Sequence, residues 1–167
     1  GKVVRGSARR IEGLAALAAA SLEQVERRGR LEALLNSGHA VAWEAELPDL
    51  RVSSVSGRYI ELLGYDQEAW LAPGFFARMI DPRDRDRVFS AWMADIAKGR
   101  DHELVYRAVR ADGDVIWIRD FTRVIHDEAG RAVSLAGVFI DISAQKEAEQ
   151  ALERRQQRMR VATEAAP

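Results

Sequence analysis

Asp81-Pro82-Arg83-Asp84-Arg85 opens the best-specified helix of the chain. Asp81 is a good N-cap, because its carboxylate can accept a backbone N–H that the first turn leaves unpaired. Pro82 suits the first helical position, where no N–H is required, and Asp84 supports the positive end of the helix dipole. Val88, Trp92 and Ile96 then stack at four-residue steps with Phe89 and Met93 beside them, and Lys98-Gly99 supplies a basic last turn and a terminal glycine.

Upstream, the pattern predicts two short helical turns, 58–63 closed by Gly64 and 67–70 with Asp66 as N-cap. Before them an alternating strand places Val41, Trp43 and Ala45 on one side and Ala42, Glu44 and Glu46 on the other. Pro48-Asp49 turns it into a second strand over 50–54. Downstream, residues 102–110, 115–125 and 132–142 read as three successive strands. The turns at 111–114, containing Asp112-Gly113, and at 127–130, ending in Gly130, are hairpin signals and predict an antiparallel meander.

A sheet with one wet face alternates polar and apolar residues. Val115-Ile116-Trp117-Ile118 and Val138-Phe139-Ile140 do not alternate, so both faces of this sheet are expected to be covered. Helices flank the strands. Residues 8–36 repeat Ile11, Leu14, Ala18, Leu22 and Val25 at three- and four-residue steps, with Gly29 interrupting and Asn36-Ser37-Gly38 ending the run. After Ser143, a reasonable N-cap, Leu152 and Met159 repeat at seven with Ala148 and Ala162 nearby, a thin coiled-coil seam. Arg154, Arg155, Arg158 and Arg160 read as a solvated basic face. Arg30–Leu34 loosely echoes Arg158–Ala162. Chance similarity between two charged helices accounts for this, the alternative being a tandem array whose next unit begins past Pro167.

The chain has 167 residues, enough for one sizeable core. A hydrophobic fraction of 47% with 31% charged residues belongs to an ordinary globular domain. A net charge of −1 gives no long-range attraction to nucleic acid. The absence of cysteine removes disulfides, thiolate metal sites and a thiol nucleophile, and fits a cytoplasmic setting. The longest apolar run, Gly13 to Ala20, falls short of the about 20 residues a bilayer span needs. Starting without methionine and stopping in mid-pattern, the chain reads as a segment of a longer protein. Glu44/Glu46 and Asp81/Asp84 are paired carboxylates by spacing, but the first pair sits on a strand and the second caps a helix. No nucleophile–base set, phosphate loop or metal-spaced cluster appears, so neither a catalytic nor a metal site is predicted.

Three stretches resemble the PAS family of sensory domains. Ile60-Glu61-Leu62-Leu63-Gly64-Tyr65-Asp66 is similar to the end of the family's first small helix. Met79 to Arg85 is similar to its His-Pro-Asp-Asp-Arg-type helix start, with Asp81 in place of the histidine. Gly137-Val138-Phe139-Ile140-Asp141-Ile142-Ser143 is similar to its closing strand and Asp-Ile-Thr exit, with serine for threonine. Arg110 to Ile118 fits the same variety of the fold. The resemblance covers 38–143 and divides the chain into an N-terminal helix (1–37), a PAS domain (38–143) and a C-terminal signalling helix (144–167).

It implies an α+β fold, a five-stranded antiparallel sheet with small helices on one face enclosing a cavity. Matched to family members with filled pockets, Ile116, Ile118, Asp120, Thr122, Leu135, Gly137 and Phe139 point inward, with Trp43, Phe76, Trp92 and Tyr106 as further wall. Asp120 and Thr122 would orient a small polar ligand, against the plainer reading that Asp120 pairs with an arginine or lies at the open end of the sheet. Val115, Trp117 and Phe121 line the outer face, which with Ile11, Leu14, Leu22 and Val25 would form a homodimer interface. Asp141 and Ser143 stand at the signal-relay joint. The resemblance implies no catalysis in this segment. Its output, a histidine kinase or diguanylate cyclase of a two-component or similar system, would lie elsewhere in the polypeptide.

No cofactor is expected. Haem in some family members is held by a histidine on the helices facing the sheet. His39, His102 and His126 all fall outside 58–98 and read as surface or hydrogen-bonded side chains. The flavin-photoadduct branch needs a cysteine, and nothing favours a noncovalent flavin. The contrasting class is a PAS module that only dimerises and spaces its neighbours.

Overall fold

In the computed structural model, which describes residues 39–164, strands β1 (Ala40–Glu46) and β2 (Arg51–Gly57) lead into four helices. These are α1 (Tyr59–Leu63), α2 (Gln67–Leu71), α3 (Phe75–Met79) and α4 (Pro82–Ala97). Strands β3 (His102–Val109), β4 (Val115–His126) and β5 (Ala132–Asp141) follow, and α5 (Ser143–Glu164) leaves the domain. All neighbouring strands pair antiparallel, in the order β2-β1-β5-β4-β3. The first and last strands therefore meet in the middle of the sheet, and α5 departs from a central strand. Among the described residues no helix is long and apolar enough to cross a membrane. Ile11, Leu14, Leu22 and Val25 lie outside the described residues.

Both faces of the sheet carry a buried apolar cluster. The inner face carries Val41, Trp43, Ala45, Ile118, Leu135 and Phe139, packed with Leu62, Leu63, Trp70, Phe75, Phe76 and Trp92 from the helices. The outer face carries a second cluster, Ala40, Ala42, Phe121, Ala136, Val138 and Ile140, with Trp117 beside it. The loss of alternation in β4 and β5 has this cause. Toward the edge that face opens to solvent, with Val115 46% exposed at the start of its strand and Glu103, opposite Phe121, exposed too.

The helix start is fixed more firmly than capping alone requires. Asp81 accepts from the Arg83 backbone N–H at 2.9 Å and from its guanidinium at 2.9 and 2.8 Å. The Arg83 side-chain bond holds the Asp81 carboxyl down at about 2. Asp84, expected only to face the dipole, instead accepts the Arg107 backbone N–H at 2.9 Å and grips its guanidinium through Nε and Nη2 at 2.8 Å each. This two-pronged bond locks the first turn of α4 to β3. It also pushes the Asp84 carboxyl well below its ordinary 3.8.

A folded pKa below the unfolded one supplies stability that is present above pH 3.8 and lost as pH falls. Arg107→Ala will remove the guanidinium, the largest part of that contribution, and leave Asp84 with only the backbone N–H of residue 107 and Arg87 at 3.6 Å. The acid-unfolding midpoint, followed by circular dichroism, is expected to move to higher pH; an unchanged midpoint would show the pair to be idle.

Two elements differ from the sequence reading. β2 runs on to Gly57 rather than stopping at Ser54, because pairing with β1 carries the serine-rich stretch, with a bulge between Glu44 and Ala45 absorbing the register. The helix α3 was not foreseen. It is five residues long, too short to display a period, and Gly74 at its N-cap adopts φ 74°.

Candidate functional site

The interior lies between the inner face of the sheet and the helices. Its floor is best described by rows across the strands. Trp43 of β1 pairs with Gly137 of β5, Gly137 with Thr122 of β4, and Thr122 with His102 of β3. The next row runs Val41, Phe139, Asp120 and Leu104. Ile118, Asp120 and Thr122 are thus placed inward by the period of two, and Ile116, partly buried, packs against the same cluster.

Rings fill most of the roof. Trp43 meets Phe76 edge-on at 4.9 Å and Phe139 at 5.3 Å, and Phe76 meets Trp92 at 5.1 Å. Trp92, hanging from α4, lies 6.4 Å from each of Trp43, Tyr106 and His102. The residues assigned to the pocket wall therefore pack on one another, with Trp43–Phe76, Phe76–Trp92 and Trp92–Tyr106 edge to face as their quadrupoles prefer and Trp43–Trp92 and Trp43–Phe139 tilted. Gly137 is essential to this arrangement. A Cβ there would fall 2.3 Å from the six-membered ring of Trp43, so the indole packs directly on bare backbone.

Asp120 sits on this floor with no exposure to solvent. It neither pairs with an arginine nor lies at the open end of the sheet, the two alternatives the sequence allowed. Tyr106 Oη donates to its Oδ2 at 3.0 Å and Thr122 Oγ1 donates to its Oδ1 at 3.0 Å. The Trp92 indole N–H turns toward the same carboxyl and lowers its pKa, but makes no bond of hydrogen-bond geometry. Burial outweighs all three neutral donors and pushes the carboxyl up to about 7. Tyr106, itself fully buried beside that carboxyl, is pushed well above 10.

His102 corrects the sequence reading. It was expected at the surface or hydrogen-bonded, yet its side chain is 4% exposed and neither ring nitrogen makes a bond of hydrogen-bond geometry, although the Arg100 backbone lies near enough to raise its pKa. Asp95 Oδ2 approaches Nδ1 only to 4.0 Å. Burial lowers its pKa, and it is held as the neutral imidazole. His39 and His126 are exposed. The signal for His102 was present in its even spacing with Leu104, Tyr106 and Ala108, all inward. A histidine opening a strand gives no local indication of which face is buried. Glu44 is a second miss, 9% exposed on the outer face, with Oε2 accepting from Ser54 Oγ at 3.3 Å. Among the described residues no three His, Cys, Asp or Glu side chains converge to hold a metal ion.

The joint to α5 is bonded to one residue of β4. The Trp117 N–H donates to Ser143 Oγ at 2.9 Å, and the Ile142 N–H donates to the Trp117 carbonyl at 2.9 Å. Asp141 Oδ1 accepts the Ser143 N–H at 2.8 Å, closing the helix start. The Trp117 ring lies 5.4 Å from the Arg107 guanidinium and 5.6 Å from Lys146 Nζ, so cations from β3 and α5 both rest on it.

A family model described as PAS fold matches residues 52–139. The sensor protein FixL of Bradyrhizobium diazoefficiens is 34% identical over 99 residues, 59% of this chain and 20% of that protein. The methyl sulfide methyltransferase-associated sensor of Methanosarcina acetivorans is 30% identical over 130 residues, 75% of this chain and 13% of that protein. The chain thus spans only 13–20% of the length of these two relatives. Among solved structures, the N-terminal domain of a diguanylate cyclase with PAS/PAC sensor from Marinobacter aquaeolei superposes with a TM-score of 0.60 at 30% identity, covering 64% of this chain and 98% of that one. A sensory box histidine kinase/response regulator from Burkholderia thailandensis gives 0.62 at 23% identity, covering 78% and 98%, a likeness of fold alone. On its strand order, its doubly covered sheet and a family match over more than half its length, this chain belongs to the PAS fold family of sensory modules.

Proposed function

We propose that this chain is the sensing and relay segment of a multidomain signalling protein of histidine-kinase or diguanylate-cyclase type, acting as a homodimer in the cytoplasm. A small ligand in the interior would bias the conformation of α5, and the output chemistry would belong to other domains of the same polypeptide. The observation that carries this reading is the joint. Trp117 holds the first turn of α5 by its backbone N–H and carbonyl, while its neighbour Ile118 faces the interior. A shift of β4 driven from inside therefore reaches α5 through two short bonds rather than through a loop. Exposed Leu152 and Met159 on α5 offer the seam along which two copies would pair. Such a device responds only by the ligand's difference in affinity for the two states.

The close-set rings favour a competing reading, a PAS module that merely spaces and pairs its neighbours. Asp141→Ala separates the two. It removes the acceptor of the Ser143 N–H without touching the interior, so in the full-length protein it is expected to leave ligand binding intact and abolish regulation of the output. Normal regulation in that variant would overturn the relay.

A further inference from the structure

The interior has a hydrogen-bonding imbalance that indicates what it accommodates. Buried polar groups are nearly always paired, and each exception calls for a partner. Here the indole N–H groups of Trp43, Trp70 and Trp92 make no hydrogen bond of good geometry, that of Trp92 turning toward the Asp120 carboxyl, and neither nitrogen of His102 makes one, although the Arg100 backbone lies beside it. Trp43 and His102 stand on one cross-sheet row, with Gly137 and Thr122 between them. Trp92 overhangs that row, its ring 6.4 Å from those of Trp43 and His102.

An indole N–H can only donate, and a neutral imidazole donates from one nitrogen and accepts at the other. The unmatched groups are therefore mostly donors. A cationic ligand would satisfy none of the indoles. The acceptors left for it are one ring nitrogen of His102 and Asp120, which already takes hydroxyl protons from Tyr106 and Thr122.

We infer that the row Trp43–Gly137–Thr122–His102 is the floor of a subsite for a small ligand bearing a carbonyl or carboxylate, whose oxygens accept from the Trp43 and Trp92 indoles and whose orientation is set by His102. This rests on the sensing reading above and adds the chemical class of what is sensed. The bare backbone of Gly137 lets the Trp43 indole approach so closely that its Nε1 lies 2.7 Å from where a Cβ would stand, beside the row. The groups facing Asp120 are Tyr106 and Thr122 from the sheet and Trp92 from α4, all neutral, with His102 one row away and Asp95 beyond it. An anionic ligand is consequently tolerated only while Asp120 keeps its proton.

The test uses three probes of matched ring size, sodium benzoate, benzamide and benzylammonium, added to the 15N-labelled protein. The four tryptophan indole N–H resonances are the readout, with Trp117 on the outer face as internal control. Benzoate and benzamide are expected to move the Trp43 and Trp92 signals and spare Trp117. Benzoate should weaken up to about tenfold between pH 7 and pH 8 while benzamide does not change. His102→Leu is expected to weaken both by about tenfold, the loss of one buried hydrogen bond. The subsite is overturned if benzylammonium moves the interior indoles more than the acceptor probes do, if neither acceptor probe moves them, or if His102→Leu binds unchanged. In any of those cases Asp141→Ala still reports independently on the relay, so the two ideas fail separately.

Discussion

Asp120→Asn will stabilise the protein at pH 8 by up to about 4 kcal/mol and leave it nearly unchanged near pH 4. The wild-type carboxyl is raised from 3.8 to about 7 by burial, so its folded pKa lies above its unfolded one. A group of that kind contributes fully below pH 3.8, and its contribution is lost as pH rises through about 7. Between those limits the folded state binds more protons than the unfolded chain, and stability declines with pH. Asparagine is isosteric and never ionises. It can still accept from Thr122 Oγ1, and its amide can donate to Tyr106 Oη once that hydroxyl rotates. Urea unfolding at pH 5 and pH 8 checks this. An equal difference between variant and wild type at the two pH values would mean that Asp120 does not titrate in the folded state.

Gly137→Ala will destabilise the domain by about 3 kcal/mol, at the upper end of ordinary overpacking. The added methyl would stand 2.3 Å from Trp43 Cε2 and Cζ2. Trp43 has no room to retreat, being fully buried against Phe76 and Phe139. Either the indole leaves its rotamer or β1 and β5 part at the centre of the sheet. The variant is expected to unfold at lower urea with altered near-ultraviolet circular dichroism. Adding Trp43→Phe, which shortens the ring above the new methyl, should recover part of the loss. If Gly137→Ala is as stable as the wild type, Trp43 does not rest on that glycine.

Much of the fold follows from local chemistry that a linear reading can use. Asp66 caps α2 through the Ala69 N–H at 2.8 Å, as its position before an apolar run predicts. Gly64 ends α1 with φ 76°, a conformation its lack of a Cβ permits. Runs without alternation in β4 and β5 announced two covered faces. By contrast, α3 has five residues and no period, and the extension of β2 depended on its partner strand rather than on its own serines.

The site was partly legible for the same reason. Once the inward parity of β4 was matched to a family pattern, Ile118, Asp120 and Thr122 followed together, since every second residue shares a face. Parity cannot say what stands opposite. Whether Asp120 would meet an arginine or a tyrosine depended on the register of β3 against β4, in which one residue of slip exchanges the two faces.

The amino-acid order alone determined the helix caps, the hairpins, the need to bury the sheet on both sides and the strand-to-helix joint at Asp141 and Ser143, because each depends on residues a few positions apart. Tertiary structure alone decided that Arg107 would clasp Asp84 from 23 residues away, that Trp43 would lie on Gly137, and that His102 would be buried without a hydrogen bond of good geometry. Those outcomes are set by strand register and helix placement, and such long-range contacts leave no period or spacing in the chain to read.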